Sequence, residues 1–185
     1  MNPNRWLISE NWYSPILPLL PTPSKPKPDC PKRRPPNFSG DQFLSVQYGP
    51  ASAVASQYGV DPTLLLGLSA LESGWGSSPM YRNQNDPFGA TPGGDATAGL
   101  SYPSFSAAWN SWGTMWGPRV NGVGSDVSAF TTALTQNNQG NPNAVDQRGS
   151  YNFEDFMWPY KVGSVVNSVR ARLPGALAIF GGECP

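Results

Sequence analysis

The run Leu64-Leu-Leu-Gly-Leu-Ser-Ala-Leu-Glu-Ser-Gly-Trp-Gly76 constrains the chain more than any other segment, because it reads as a helix buried on most sides and closed by a glycine-rich break. Asp61 is a good N-cap, Pro62 suits the first helical position, and Val60 is placed to pack back on the first turn. Leu64, Leu68, Leu71 and Trp75 recur at i, i+4, i+7 and i+11, one face of a helix, and Leu65 and Leu66 widen that stripe. Gly74 fits the left-handed position that ends a helix. In the last turn stands Glu72, with no other charge between Thr63 and Tyr81. The negative end of the helix dipole and the loss of water among apolar neighbours both favour the protonated acid. An acid still protonated near neutral pH is what cleavage of a glycosidic bond needs to protonate the leaving oxygen. A solvated glutamate at a helix end is the bland alternative, and the uncharged surroundings weaken it.

Composition closes other routes. The chain has no histidine, which excludes Ser-His-Asp and Cys-His nucleophiles and His-ligated zinc. Two cysteines, Cys30 and Cys184, cannot form a four-cysteine metal site, so neither metal nor cofactor is expected. No GxxxxGK[ST] phosphate loop is present, and Gly93-Gly94 and Gly122-Val-Gly124 read as turn glycines. Only four glutamates occur, Glu10, Glu72, Glu154 and Glu183, and Glu72 alone lies in a strongly apolar helix.

The net charge of zero hides an asymmetry: residues 1–40 carry six basic and two acidic groups, the other 145 residues six and ten. Ten of the 21 prolines also fall in residues 1–40. That leader cannot be a regular helix or central strand. Its Lys32-Arg33-Arg34 reads as a solvated linker rather than a nucleic-acid site. Residues 41–185 have the length of one domain, for which a core of about 100–150 residues is typical. No export signal of the usual kind is visible, since Pro15, Pro18 and Pro21 interrupt the apolar stretch, and no run is long enough for a membrane span.

Ala70-Leu-Glu-Ser-Gly-Trp-Gly76 followed by Asn85-Asp-Pro-Phe-Gly89 resembles the signature of the N-acetylglucosaminidase family of bacterial cell-wall hydrolases. The likeness spans roughly Phe43 to Leu173. It includes a helix over Phe43–Gly59, or two joined at Gly49-Pro50, the Val60-Asp-Pro62 entry, and Leu100-Ser-Tyr-Pro-Ser-Phe105 before a helix bearing Trp109, Trp112 and Trp116. The resemblance implies a mainly α, lysozyme-like helical domain with a loop-rich lobe behind the proline-rich extension. It also implies a peptidoglycan glycan-strand hydrolase with Glu72 as general acid.

A second carboxyl is less legible. An inverting mechanism needs a base roughly 6.5–9.5 Å from the acid, a retaining one a nucleophile at about 5–5.5 Å. Asp86, Asp95, Asp126, Asp146, Glu154 and Asp155 are the candidates. Asp95 ranks first, because its glycine-rich loop Thr91–Thr97 can fold over a cleft as the family's second acid does, although the family usually presents a glutamate there. Asp86 precedes a proline and suits a turn-bonding role. The substrate's own N-acetyl group is the alternative base.

Aromatic rings lie well against the apolar faces of pyranoses, and Tyr81, Phe88, Tyr102, Trp109, Trp112, Trp116, Tyr151 and Trp158 supply them. Phe88, Tyr102 and Tyr151, with Trp75 and Asn85 of the signature, are the expected substrate contacts; Tyr151 resembles the family's tyrosine near the acid. Trp109, Trp112 and Trp116 share a helix face, a spacing that more often means core. Thr135–Gly149 reads as a loop, and a last helix over about Pro159–Arg172 turns Val162, Val165, Val166 and Val169 inward.

Three activities fit: N-acetylglucosaminidase; muramidase or lytic transglycosylase, although the transglycosylase Gly-Leu-Met-Gln-like segment is absent; and a non-catalytic glycan-binding module, which has no need of a dehydrated glutamate. A wall substrate without a visible signal resembles toxin-type hydrolases injected into rival bacteria, which act in the periplasm and are paired with immunity proteins. In an oxidising compartment, a Cys30–Cys184 disulfide would close a very long loop, where cross-linking stabilises most.

Overall fold

The computed structural model describes residues 39–90, 99–143, 149–152 and 155–180. The leader, both cysteines, Asp95 and its loop, Asp146 and Glu154 lie outside the described residues. The described residues form six helices and no strand: α1 (Gly40–Tyr58), α2 (Pro62–Ser73), α3 (Pro79–Gln84), α4 (Phe105–Val120), α5 (Val127–Thr135) and α6 (Trp158–Phe180).

Helix α2 is the axis of the bundle and packs on α1 and α6. Every residue from Leu64 to Ala70 is buried, as its apolar composition demands. Asp61 caps it by accepting from Thr63 N at 2.8 Å, Pro62 opens it, and Gly74 ends it at φ 57°. Gly67 lets α6 approach: an ideal Cβ there would stand 3.0 Å from the Val166 Cα and closer still to Cγ2. Helix α1 is one continuous helix, opened by a reciprocal Ser39–Gln42 capping box. Pro50 removes only one backbone hydrogen bond from it, and its ring is buried in a helix packed against α2, α4 and α6.

Two short helices, α3 and α5, were not expected, having too few residues for a periodic signal. Each is defined by its cap: Ser78 accepts from Tyr81 N, and Asp126 accepts from Ser128 N and Ala129 N. The last helix runs past Arg172 to Phe180 with Pro174 inside it, and Val162, Val166 and Val169 are buried as expected. Val165 is only partly buried against the core.

Candidate active site

The Glu72 end of α2 is built by the residues after it. Gly74, Trp75 and Gly76 take φ of 57°, 56° and 79°, a left-handed turn that glycine adopts freely and tryptophan does not. Trp75 N donates to Ala70 O at 2.7 Å, and Ser73 Oγ donates to Ser69 O at 2.7 Å while accepting from Gly76 N at 3.0 Å. A Cβ on Gly76 would meet Tyr81 Cε1 at 2.7 Å, so the signature glycine also makes room for a core ring. This turn corrects the expected helix face: Trp75 lies beyond the helix, edge-on to Phe43 at 5.9 Å and 5.0 Å below the Arg172 guanidinium. It is not among the residues lining the cleft.

That cleft has a volume of about 790 Å³, with Glu72 in its lining. Phe88, Gly89, Ala90, Leu100 and Tyr102 form one wall, and α4 presents Ala108, Trp112, Met115 and Trp116 on another. Gln139 and Gly149–Asn152 close the remaining side. Trp158 Nε1, at the start of α6, donates to Glu72 Oε1 at 2.9 Å. Burial raises the Glu72 carboxyl above the ordinary value and outweighs the indole hydrogen bond, which lowers it. Since Oε1 accepts that bond, Oε2 is the oxygen left to carry the proton of the acid form.

Tyr151 stands beside this carboxyl, with its ring tilted against Trp158 at 5.4 Å and edge-on to Trp116 at 4.8 Å. Burial, then the negative charge of Glu72, push its hydroxyl well above the ordinary phenol value, so it remains a neutral O–H donor. The loop carrying it is fastened at two points. Tyr151 N donates to Leu134 O at 2.9 Å, and the buried Arg119 Nη1 donates to Gln136 O at 2.8 Å and Gly149 O at 3.0 Å. The guanidinium also lies 4.9 Å over Trp116, so α4 supports the Tyr151 loop from below.

The expected binding residues divide. Phe88, Tyr102 and Tyr151 line the cleft. Asn85 does not: at φ 53° it ends α3, and its Nδ2 donates to Tyr102 O at 2.8 Å, while Tyr102 N donates to Gln84 O at 2.8 Å. Asn85 therefore clamps the strand-like segment that presents Tyr102. Asp86 is fully buried, and Oδ1 accepts from Phe88 N at 2.9 Å, the turn-bonding role expected of Asp before Pro. Burial raises its carboxyl despite the backbone donors Phe88, Ala90 and Gly89. Asp126 caps α5, and Asp155 pairs with Lys161 at 2.7 Å on the surface, so neither faces the cleft.

Tyr81 and Trp109 belong to the core, joined through Gln47, which donates to Tyr81 Oη at 2.9 Å and accepts from Trp109 Nε1 at 2.7 Å. Of the α4 tryptophans, Trp109 is core while Trp112 and Trp116 reach the cleft. Two functional candidates escaped sequence reasoning. Trp158 appeared only as one ring among many, since nothing local pairs it with a carboxyl 86 positions earlier. Arg119 gave no signal at all, as its acceptors are backbone carbonyls.

Comparison with known proteins agrees with this geometry. One chain of a type VI secretion system effector–immunity complex from Pseudomonas protegens superimposes with a TM-score of 0.58 at 23% identity, over 75% of this chain and 96% of that one. The peptidoglycan hydrolase of Sphingomonas sp. A1 gives 0.58 at 24% identity, over 74% and 94%. The glycoside hydrolase domain of Salmonella typhimurium FlgJ, C-terminally truncated, gives 0.53 at 20%, over 72% and 99%. At these identities the likeness establishes the fold. No curated protein sequence matches the chain. The family model described as mannosyl-glycoprotein endo-beta-N-acetylglucosaminidase matches residues 49–170, about two thirds of the sequence, and so the chain belongs to the glucosaminidase family.

Proposed function

We propose that the protein hydrolyses the glycan strands of bacterial peptidoglycan, as an N-acetylglucosaminidase, with Glu72 as general acid. The observation that carries this reading is the half-buried Glu72 in the lining of a cleft, its carboxyl raised by burial and its Oε1 held by Trp158. The Oε2 proton passes to the glycosidic oxygen as the bond breaks, and the Trp158 N–H supports the carboxylate left behind. Phe88, Tyr102 and Tyr151 contact the sugars, and Asp95 or the substrate's acetamido group supplies the second function. No step calls for a cofactor or a metal.

Glu72→Gln tests the assignment, because an amide keeps the size and accepts from Trp158 but donates no acid proton. The variant should fold and leave purified sacculi intact; lysis at the wild-type rate would remove Glu72 as the acid. Wild-type activity should fall as pH rises through the raised Glu72 pKa. Mass analysis of digested sacculi separates the activities: a reducing N-acetylglucosamine end supports this reading, a reducing muramic acid or anhydro end the two alternatives, and no product a binding module.

The reading extends to an antibacterial effector that acts in the periplasm of a target cell. The Pseudomonas protegens effector–immunity complex, one chain of which shares this fold, supports it. So do the basic, proline-rich residues 1–40 ahead of a domain over 41–185. A periplasmic immunity protein would occlude the cleft that holds Glu72, beside the Asn85–Gly89 turn. Directed to the periplasm the protein should lyse a naive host, and in the cytoplasm it should not. Equal harmlessness of active protein in both compartments would refute the effector reading.

A further inference from the structure

Among the described residues, the exposed large apolar side chains are Phe156 at 90%, Tyr160 at 73% and Met157 at 40%, and all three fall within five positions. Single hydrophobics scattered over a surface are ordinary, but a cluster beside a cleft points to a binding surface. The segment is braced. Asp155 Oδ1 accepts from Met157 N at 3.0 Å and Oδ2 from Lys161 Nζ at 2.7 Å. Trp158 N donates to Asp155 O at 2.9 Å, and Lys161 N to Met157 O at 3.0 Å. The rings are therefore displayed by a fixed turn at the start of α6. That turn adjoins the cleft: Tyr151 and Asn152 are in the lining, and Trp158, next to Met157, reaches Glu72 Oε1 at 2.9 Å. An indole nitrogen stands roughly 6 Å from its Cα and successive Cα atoms about 3.8 Å apart, so the backbone of Phe156 and Tyr160 lies within roughly 17 Å of the acid.

We propose that Phe156 and Tyr160 form a platform outside the cleft that holds the glycan strand some sugars away from the bond being cut, so that the polymer is a better substrate than a short fragment. The assignment rests on the glycan-hydrolase reading and adds a second contact surface to it. Exposed aromatic rings receive the apolar faces of pyranoses without a matched hydrogen bond, which suits a repeating strand in any register. The surroundings favour a strand over a protein partner. Each side of a stable protein interface buries about 800 Å², more than three side chains supply. The neighbouring Lys161 and Ser164 are exposed and polar, so the apolar surface does not continue along α6. Weak contacts suffice for a strand, because sugars joined to one seated in the cleft meet the platform at high effective concentration.

The test uses the full chain and compares purified sacculi with a soluble tetrasaccharide released from them. In the Glu72→Gln background, which reads binding without turnover, Phe156→Ser with Tyr160→Ser should weaken binding to sacculi about five- to a hundredfold, the worth of two stacked rings. With Glu72 intact, the same pair should slow release of fragments from sacculi at limiting sacculus concentration and leave kcat/KM for the tetrasaccharide unchanged. Phe156→Tyr with Tyr160→Phe keeps both rings and should bind sacculi like the parent. Both side chains are too exposed for their loss to unfold the domain. Unchanged binding to sacculi overturns the platform. So does an equal loss on sacculi and tetrasaccharide, which would put the rings in the service of the cleft itself. Self-association in sedimentation that the serine pair abolishes would assign the patch to a second copy of the chain and overturn the platform as well. Failure of the glycan reading looks different, as the Glu72→Gln protein would then bind neither ligand and the wild type would cut neither.

Discussion

Replacing Gly67 by alanine should separate two helices and, with them, an acid from its hydrogen-bond donor. The added Cβ would meet Val166 Cα at 3.0 Å and Cγ2 at less, where ordinary contact begins at 3.4 Å. Relieving the clash moves α6 away from α2 by roughly 0.5–1 Å, because the obstacle includes backbone that no rotamer change removes. Overpacking of this kind costs about 1–3 kcal/mol, or roughly 3–10 °C in melting temperature for a domain of this size. Trp158 lies two turns earlier on α6, and its 2.9 Å bond to Glu72 is stretched by the same movement. Weakening a bond to a developing carboxylate by about 1.4 kcal/mol slows turnover about tenfold. Circular dichroism melting and release of fragments from sacculi measure the two effects. Val166→Ala in the same chain should recover part of the loss, since it removes Cγ2 while the helix backbone of α6 still stands against the new methyl. A Gly67→Ala protein that melts and turns over like the wild type would refute the close α2–α6 approach as the element that seats Trp158 on Glu72.

Trp158→Phe should lower turnover about 10–100-fold by deleting the N–H donor. It should also shift the alkaline limb of the pH–rate profile upward, because that bond lowers the Glu72 pKa; an unmoved limb would count against the pairing. Glu72→Gln should gain stability over the wild type at neutral pH, read by melting temperature against pH. The folded carboxyl titrates above the ordinary value, so its stabilising contribution is complete below the unfolded pKa and is lost as pH rises through the raised folded one. The advantage of the Gln variant should vanish in acid, and an advantage independent of pH would contradict the burial argument. Non-reducing mass analysis of protein from an oxidising compartment should find Cys30 linked to Cys184, with reduction lowering the melting temperature; free thiols on both would remove that bridge.

The helix bearing the acid was legible in the sequence to the residue. Asp61, Pro62 and Gly74 act through neighbours within four positions, and the leucines through a periodicity that any helix imposes. The same locality explains the turn role of Asp86 and the signature of Asn85–Gly89, in which Asn85 clamps Tyr102 from outside the lining of the cleft. Trp75 shows where periodicity fails: extrapolating a helix face one residue past a left-handed glycine turn points the ring the wrong way, onto Phe43 and Arg172. Only the packed structure decided which aromatics are core and which are cleft. Trp109 and Trp112 lie on one face of α4, and their surroundings differ because Gln47 meets one and the cleft the other. The partners of the site, Trp158 on Glu72 and Arg119 beneath Tyr151, join α6 to α2 and α4 to two distant loops. Such pairings depend on how closely helices approach, set here by the missing side chain of Gly67, and a sequence carries no local trace of that distance.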